Sequence, residues 1–401
     1  MTAPAHPAYL YSEEVLAFSF AGRPAQPPPE PPAPQAEKNL ARCLAAFERG
    51  KRRDLVLLGL GSGALARALA ERLPPQARLF VCETSPAAAQ ALRSAGRLDW
   101  RGPHGRAQLI ADTSPWAHLV LLAQLGADRE RACVLPNPEV PPSGRKRTKA
   151  LGRLLSRAGP ATVAVRPGLA APSLSVAAIL KPGEPDLDAF LAQVPAWVRE
   201  LVLVWDAKAP PAPAPRVPVR LVELAHPLER DFAAQRNRML AACSGDFLLY
   251  LDADERLPAG LWDALPALLA DKAAAAWMFP RRTFFPDAAH CRVGLGLWPD
   301  PQLRLFRRRP QLAFERPVHE RLAGLRGPVG LLLDAGIEHT THLCKSPREI
   351  AAKLELFDAA AGGAIRHTLN PDLPRLPCTV LDALTGPGQD LRCLVLPEYP
   401  G

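Results

Sequence analysis

The stretch GDFLLYLDADERLP, Gly245 to Pro258, decides how this chain is read. Five consecutive apolar residues, Phe247 to Leu251, run straight into Asp252, Ala253, Asp254 and Glu255. A short apolar run bounded by polar residues predicts a buried strand. One turn residue would suffice to stop it, so three carboxylates in four positions need a further reason. Like charges this close repel unless a cation lies between them. Alternation along an extended strand places Asp252 and Asp254 on one side. Two hard carboxylates suit Mg²⁺ or Mn²⁺, which keep coordination positions open for diphosphate oxygens. A solvated acidic turn before a helix is the other reading of the same residues.

Working outward, 401 residues suffice for two or three domains. A 48% hydrophobic, 22% charged composition is that of a soluble globular chain. No run approaches the roughly 18 apolar residues of a membrane span. The start, MTAPAHPAYLYSEE, lacks the basic head and apolar core of a signal peptide. A cytoplasmic protein is therefore expected. The net charge of +9 is compatible with anionic substrates, nucleic acid or peripheral contact with the inner membrane surface, and alone selects none. The basic run RKRTK, Arg145 to Lys149, has no interleaved aromatic residues, so no nucleic-acid partner is expected. The cysteines are scattered with no CxxC pair, which argues against a zinc knuckle or a disulfide framework.

Upstream, strand and helix signals alternate, which predicts a parallel sheet. An apolar run at Leu55–Leu58 meets a Gly-rich turn and an Ala-rich helix; later strands end at Glu83 and Asp112. This predicts a Rossmann-like domain over residues 1–170, with a Pro-rich N-terminal segment, extending through the basic helix GRKRTKALGRLLSRAG and the strand ATVAVRP. Pro167–Pro172 reads as a linker, residues 171–365 as a second α/β domain, and 366–401 as a Pro-rich tail. In LLGLGSG, Gly59, Gly61 and Gly63 would let the backbone approach a ligand at a helix N-terminus, and Glu83 stands where a ribose-binding acid belongs. The stretch resembles the first motif of S-adenosylmethionine-dependent methyltransferases, which implies that cofactor. Leu57 departs from it, because an acidic residue is usual there. A tight strand–helix turn without a ligand is the plainer reading and the one preferred.

From about Ser173 to Ala360 the carrying stretches are FAAQRNRMLAACSGDFLLYLDADE, PRRTFF, LWPDPQLRLFRR, PVHERL and IEHTTH. In their order and spacing the chain resembles family 2 glycosyltransferases of the GT-A fold, with its nearest likeness to bacterial lipopolysaccharide-core transferases. The resemblance implies that Asp206 and Glu184 contact base or ribose, that Arg236 and Asn237 line the donor pocket, and that Asp252 and Asp254 organise a metal–diphosphate. The loops KPGEP, which retains Lys181 and Glu184, and WDAKAP, after Asp206, depart from the family pattern. Sugar transfer also needs a base for the acceptor proton. Glu320 in PVHE is the first candidate and Asp300 in WPDPQ the second. His339 reads either as a further metal ligand or as a hydrogen-bonded strand-end histidine. Arg304 in RLFRRR reads as a phosphate partner or as part of a solvated basic strand. The expected function is an inverting, Mn²⁺- or Mg²⁺-dependent glycosyltransferase. It would take a nucleotide-sugar donor and a glycan, lipid-linked or protein acceptor. The alternative is a bifunctional protein whose N-terminal domain is a methyltransferase.

Overall fold

A computed structural model describes residues 4–19, 26–166, 168–360, 370–385 and 390–399. The chain runs through α1 (Pro7–Ala17), α2 (Ala33–Gly50), β1 (Asp54–Leu58), α3 (Ala64–Arg72), β2 (Arg78–Glu83), α4 (Pro86–Ser94), β3 (Ala107–Ala111), α5 (Pro115–Gln124), β4 (Ala132–Pro136) and α6 (Pro142–Arg157). It continues with β5 (Gly159–Val163), β6 (Leu174–Leu180), α7 (Leu187–Ala192), β7 (Glu200–Trp205), β8 (Arg220–Ala225), α8 (Phe232–Ala242), β9 (Phe247–Tyr250), β10 (Glu255–Arg256) and α9 (Ala259–Ala270). Then follow β11 (Ala276–Phe279), β12 (Arg281–Thr283), β13 (His290–Arg292), β14 (Gln302–Arg307), β15 (Ala313–Glu315), β16 (Arg321–Ala323), β17 (Val329–Leu332) and β18 (Ile337–His339). Last come α10 (Thr341–Cys344), α11 (Pro347–Ala360), β19 (Arg375–Pro377), α12 (Cys378–Asp382) and β20 (Leu391–Leu396). Two compact units result. One comprises 1–160, 289–300 and 372–386; the other comprises 161–288, 301–371 and 387–401.

The first unit holds a parallel sheet in the order β3-β2-β1-β4. All residues of β1 and β3 are buried, and apart from Asp54 and Gln108 they are apolar. Leu55, Leu57, Leu79, Val81 and Leu109 join Leu65 and Leu69 of α3 in one core. Ser12 of α1 donates to the Leu109 carbonyl at 2.6 Å, seating α1 on β3. The antiparallel pair β13–β19 also belongs to this unit.

The second unit is built on a nine-stranded mixed sheet, β5-β20-β17-β11-β14-β9-β6-β7-β8. β6, β7, β8 and β9 run parallel, and β14 lies antiparallel between β9 and β11. That is the α/β GT-A arrangement implied above. The core gathers Trp205, Phe247, Trp277 and Phe279 with the apolar face of α9. A small sheet, β10-β18-β12, begins five residues after β9 ends.

Two segments sit differently from the linear reading. The strand expected to close the first domain joins the large sheet as β5. The Pro-rich tail yields β20, whose run LRCLVL pairs antiparallel with β17. Prolines on either side of that run dominated its composition, but the run itself has the apolar residues a sheet can bury. The expected linkers and helix end fall partly on residues 20–25, 167 and 361–369, which lie outside the described residues.

Candidate active site

The carboxylate cluster forms a turn, and this corrects the strand alternation expected for it. The Glu255 N–H donates to the Asp252 carbonyl at 2.9 Å, closing the turn directly after β9. Asp252 and Asp254 consequently face different partners. Asp252 accepts from Arg236 Nη2 at 3.1 Å and from Arg304 Nη2 at 2.6 Å. Asp254, buried, accepts from Lys345 Nζ at 3.2 Å and stands 3.6 Å from His339 Nε2. Register explains the second placement. β10 pairs with β18 so that Glu255 faces His339, and the next residue, Thr340, donates its N–H to the Asp254 carbonyl at 2.8 Å. Thr283 Oγ1 lies 3.0 Å from His339 Nδ1 and orients the ring.

Charges alternate through the cluster. Arg304 Nη2 also donates to Glu255 Oε1 at 2.6 Å, and Arg281 Nη1 reaches the same oxygen at 3.3 Å. Arg236 Nε donates to Glu320 Oε1 at 2.7 Å. The Tyr250 ring lies between two guanidiniums, Arg236 at 4.8 Å and Arg304 at 4.7 Å from its centroid, a cation–π arrangement. Burial opposes the charge on Arg236, but Asp252 and Glu320 outweigh it and hold the group protonated. Arg304 is likewise held charged, with burial overcome by Asp252 and Glu255. Burial also opposes the charge of Lys345, and Asp254 with Glu184 raises its pKa above the ordinary lysine value. Arg236 Nη1 and Arg304 Nε are buried donors with no hydrogen-bond partner among the described residues.

The other expected residues take separate places. Glu184, in the loop after β6, stands 3.4 Å from Lys345 and so reaches the cluster. Asp206, at the end of β7, accepts from the Leu228 N–H at 2.7 Å. Lys181 is exposed. Asn237 pairs both amide atoms with the backbone of Phe314, at 2.9 and 2.7 Å, and so splints β15 to α8. Asp300 ends the 289–300 segment of the first unit with φ 40. Sequence reasoning missed Lys345, in HLCKSP, for which no motif signals a role. It also left Glu255 and Arg281 unassigned, although both stand inside quoted motifs.

Among the described residues no group of three or more His, Cys, Asp or Glu side chains is gathered around a metal position. Asp254 and His339 nevertheless face each other across 3.6 Å. Mg²⁺ and Mn²⁺ are commonly held by one or two protein ligands completed by water and substrate phosphates. This pair fits such a substrate-completed site.

In the first unit, the Gly-rich turn is satisfied from within. Glu83 accepts from the Leu60 N–H at 2.9 Å and the Ser85 N–H at 2.7 Å. Asn137 donates to the Gly59 carbonyl at 2.9 Å, and Ser62 donates to Glu139 at 2.6 Å. A Cβ on Gly61, whose φ is +58, would stand 2.6 Å from the Glu139 Cβ. The Asn137–Val140 segment thus fills the space beside the glycines.

No family model matches the chain. A 91-residue stretch is 38% identical to a TPR repeat-containing protein of Synechococcus elongatus, covering 22% of this chain. The chain spans about a fifth of that relative's length, 20%. Among solved structures, TarS of S. aureus, residues 1–349 in complex with UDP-GlcNAc, is 13% identical over 50% of this chain and 68% of its own, with a TM-score of 0.29. A putative O-methyltransferase from Klebsiella pneumoniae is 13% identical over 40% of this chain and 83% of its own, with a TM-score of 0.22. At such values the fold rests on the strand order and connections described above. No helix among the described residues is long and apolar enough to cross a membrane.

Proposed function

We propose that the second unit is an inverting glycosyltransferase, moving a sugar from a nucleotide-diphosphate donor to a hydroxyl of a glycan, lipid-linked or protein acceptor. One observation carries the reading. Two ion-paired groups, Arg236 with Asp252 and Glu320, and Lys345 with Asp254 and Glu184, meet at the Asp252–Asp254 turn beside the C-terminal ends of β6 and β9, where open α/β sheets bind ligands.

In this reading the acceptor oxygen attacks the anomeric carbon on the face opposite the diphosphate. The bond from that carbon to the diphosphate oxygen breaks, and its electron pair leaves with the diphosphate. The acceptor proton passes to Glu320. Arg236 holds Glu320 by Oε1, which leaves Oε2 for the proton. The same guanidinium grips Asp252, so the base and the donor-side carboxylate are fixed through one rigid group. Asp206 and Glu184 take the base or ribose. A divalent cation, when bound, would neutralise the leaving diphosphate, and Asp254 with His339 would hold it. The first unit takes an accessory, structural role.

The test is Glu320→Gln, which keeps size and removes basicity. Turnover should fall by about 10²-fold or more while nucleotide-sugar affinity is retained. Normal turnover would remove Glu320 from the reaction. A nucleotide-sugar panel with neither transfer nor hydrolysis would remove the reaction class.

A further inference from the structure

Lys345 is a cation at Asp254 that no motif announced. It lies in the short connection between α10 and α11, and its side chain is 9% exposed. Its ammonium bridges two carboxylates, Asp254 at 3.2 Å and Glu184 at 3.4 Å. Asp254 is itself 5% exposed, so its charge needs a compensating cation close by. Lys345 supplies that charge from within the chain. His339 Nε2 faces the other oxygen of the same carboxylate. A divalent ion entering beside Asp254 would therefore meet an ammonium already seated there. Two like charges a few ångströms apart in a largely buried site repel strongly. Asp254, Glu184 and Lys345 together carry one net negative charge; without the ammonium they carry twice that.

We infer that Lys345 is a resident counter-ion that holds free divalent cations off Asp254, so that the metal binds productively only together with the negative charge of a diphosphate. This rests on reading Asp254 and His339 as the cation-binding pair. It makes the metal site conditional on substrate, and it assigns the α10–α11 connection a role in donor loading. The device also explains how a cluster of carboxylates folds stably before any ligand arrives. An ammonium on a flexible stem suits the task, because it is a compact point charge that can swing away and return.

The experiment uses the full chain and Mn²⁺ alone. Lys345→Met should bind Mn²⁺ at least tenfold more tightly than wild type, measured by titration calorimetry. Mn²⁺ should also raise the melting temperature of Lys345→Met more than that of wild type, since an ion that binds only the folded state stabilises it. Lys345→Arg, which keeps the charge, should stay as weak as wild type. Equal Mn²⁺ affinity in wild type and Lys345→Met overturns the inference, including the case in which neither binds. Lys345→Gln carries the same test if the methionine variant does not fold. Failure of both to fold even in Mn²⁺ also overturns it, since the ion could then not replace the ammonium. Tighter Mn²⁺ binding without nucleotide-sugar turnover keeps this inference and discards the glycosyltransferase reading. Turnover with unchanged Mn²⁺ affinity does the reverse.

Discussion

At the end of β1 the chain makes its Gly-rich turn, and at the end of β9 its carboxylate-rich turn. Both are C-terminal strand ends of open α/β sheets, the first parallel and the second mixed, where ligands of α/β proteins bind. In the first, each polar group named in the motif is answered by a neighbour in the same unit: Glu83 by Leu60 and Ser85, Gly59 by Asn137, Ser62 by Glu139. In the second, five carboxylates meet three arginines and a lysine. The first turn spends its hydrogen bonds within its own unit, and the second concentrates charge. The same contrast appears in the buried titratable groups. Asp112 in the first unit is held by the Tyr11 hydroxyl and backbone N–H groups of Ser114 and Gly296, whereas Glu255 in the second lies against two guanidiniums.

The largest effect should come from removing a charge partner in the second unit. Arg304→Met leaves the fully buried Glu255 with Arg281 at 3.3 Å as its remaining ion pair among the described residues, and should destabilise that unit by about 3–5 kcal/mol. Denaturant titration measures it, and a loss well below about 1 kcal/mol would break the contrast between the two turns.

Next is the pH response of the first unit. Burial raises Asp112 from 3.8 to about 6, so the stability it contributes is present at low pH and lost as pH rises between those values. Burial lowers His118 from 6.5 to about 4, so its contribution is present above 6.5 and lost as pH falls toward 4. Each is worth about 3 kcal/mol, and between pH 4 and 6 they oppose each other. Amide exchange in β3 and α5 of the full chain should therefore change little across that window. Asp112→Asn should expose the histidine alone, with stability falling on acidification. His118→Gln should expose the aspartate alone, with stability falling as pH rises. Variants with the same slope as wild type would show that neither group is buried as described.

The smallest effect concerns the glycine turn. Gly61→Ala combines φ +58 with a Cβ 2.6 Å from Glu139 and should cost about 1–3 kcal/mol. Pairing it with Glu139→Gly, which removes that Cβ, should recover part of that cost, as measured by the melting temperature of the full chain. No recovery would mean that Glu139 is not what fills the turn.

Much of this was legible in the chain. Apolar runs marked β1 and β9 because strands buried on both faces leave no polar alternation. The string DADE marked the site because charge is costly to cluster without a purpose. What the sequence alone could not decide was which partner each charge takes. Asp252 and Asp254 stand two residues apart, yet one pairs with Arg236 and Arg304 and the other with Lys345, and those cations lie 16, 52 and 91 residues away. For Glu83 and the glycines the closed turn was already the preferred reading, but that Asn137 and Glu139 of the β4–α6 connection are what fill it could not be read from the sequence. The reason is physical. Local pattern reports what a segment must bury, since burial depends on composition over a few residues. Ion pairing and the filling of a cradle depend on atoms that only the folded chain brings within a few ångströms of each other.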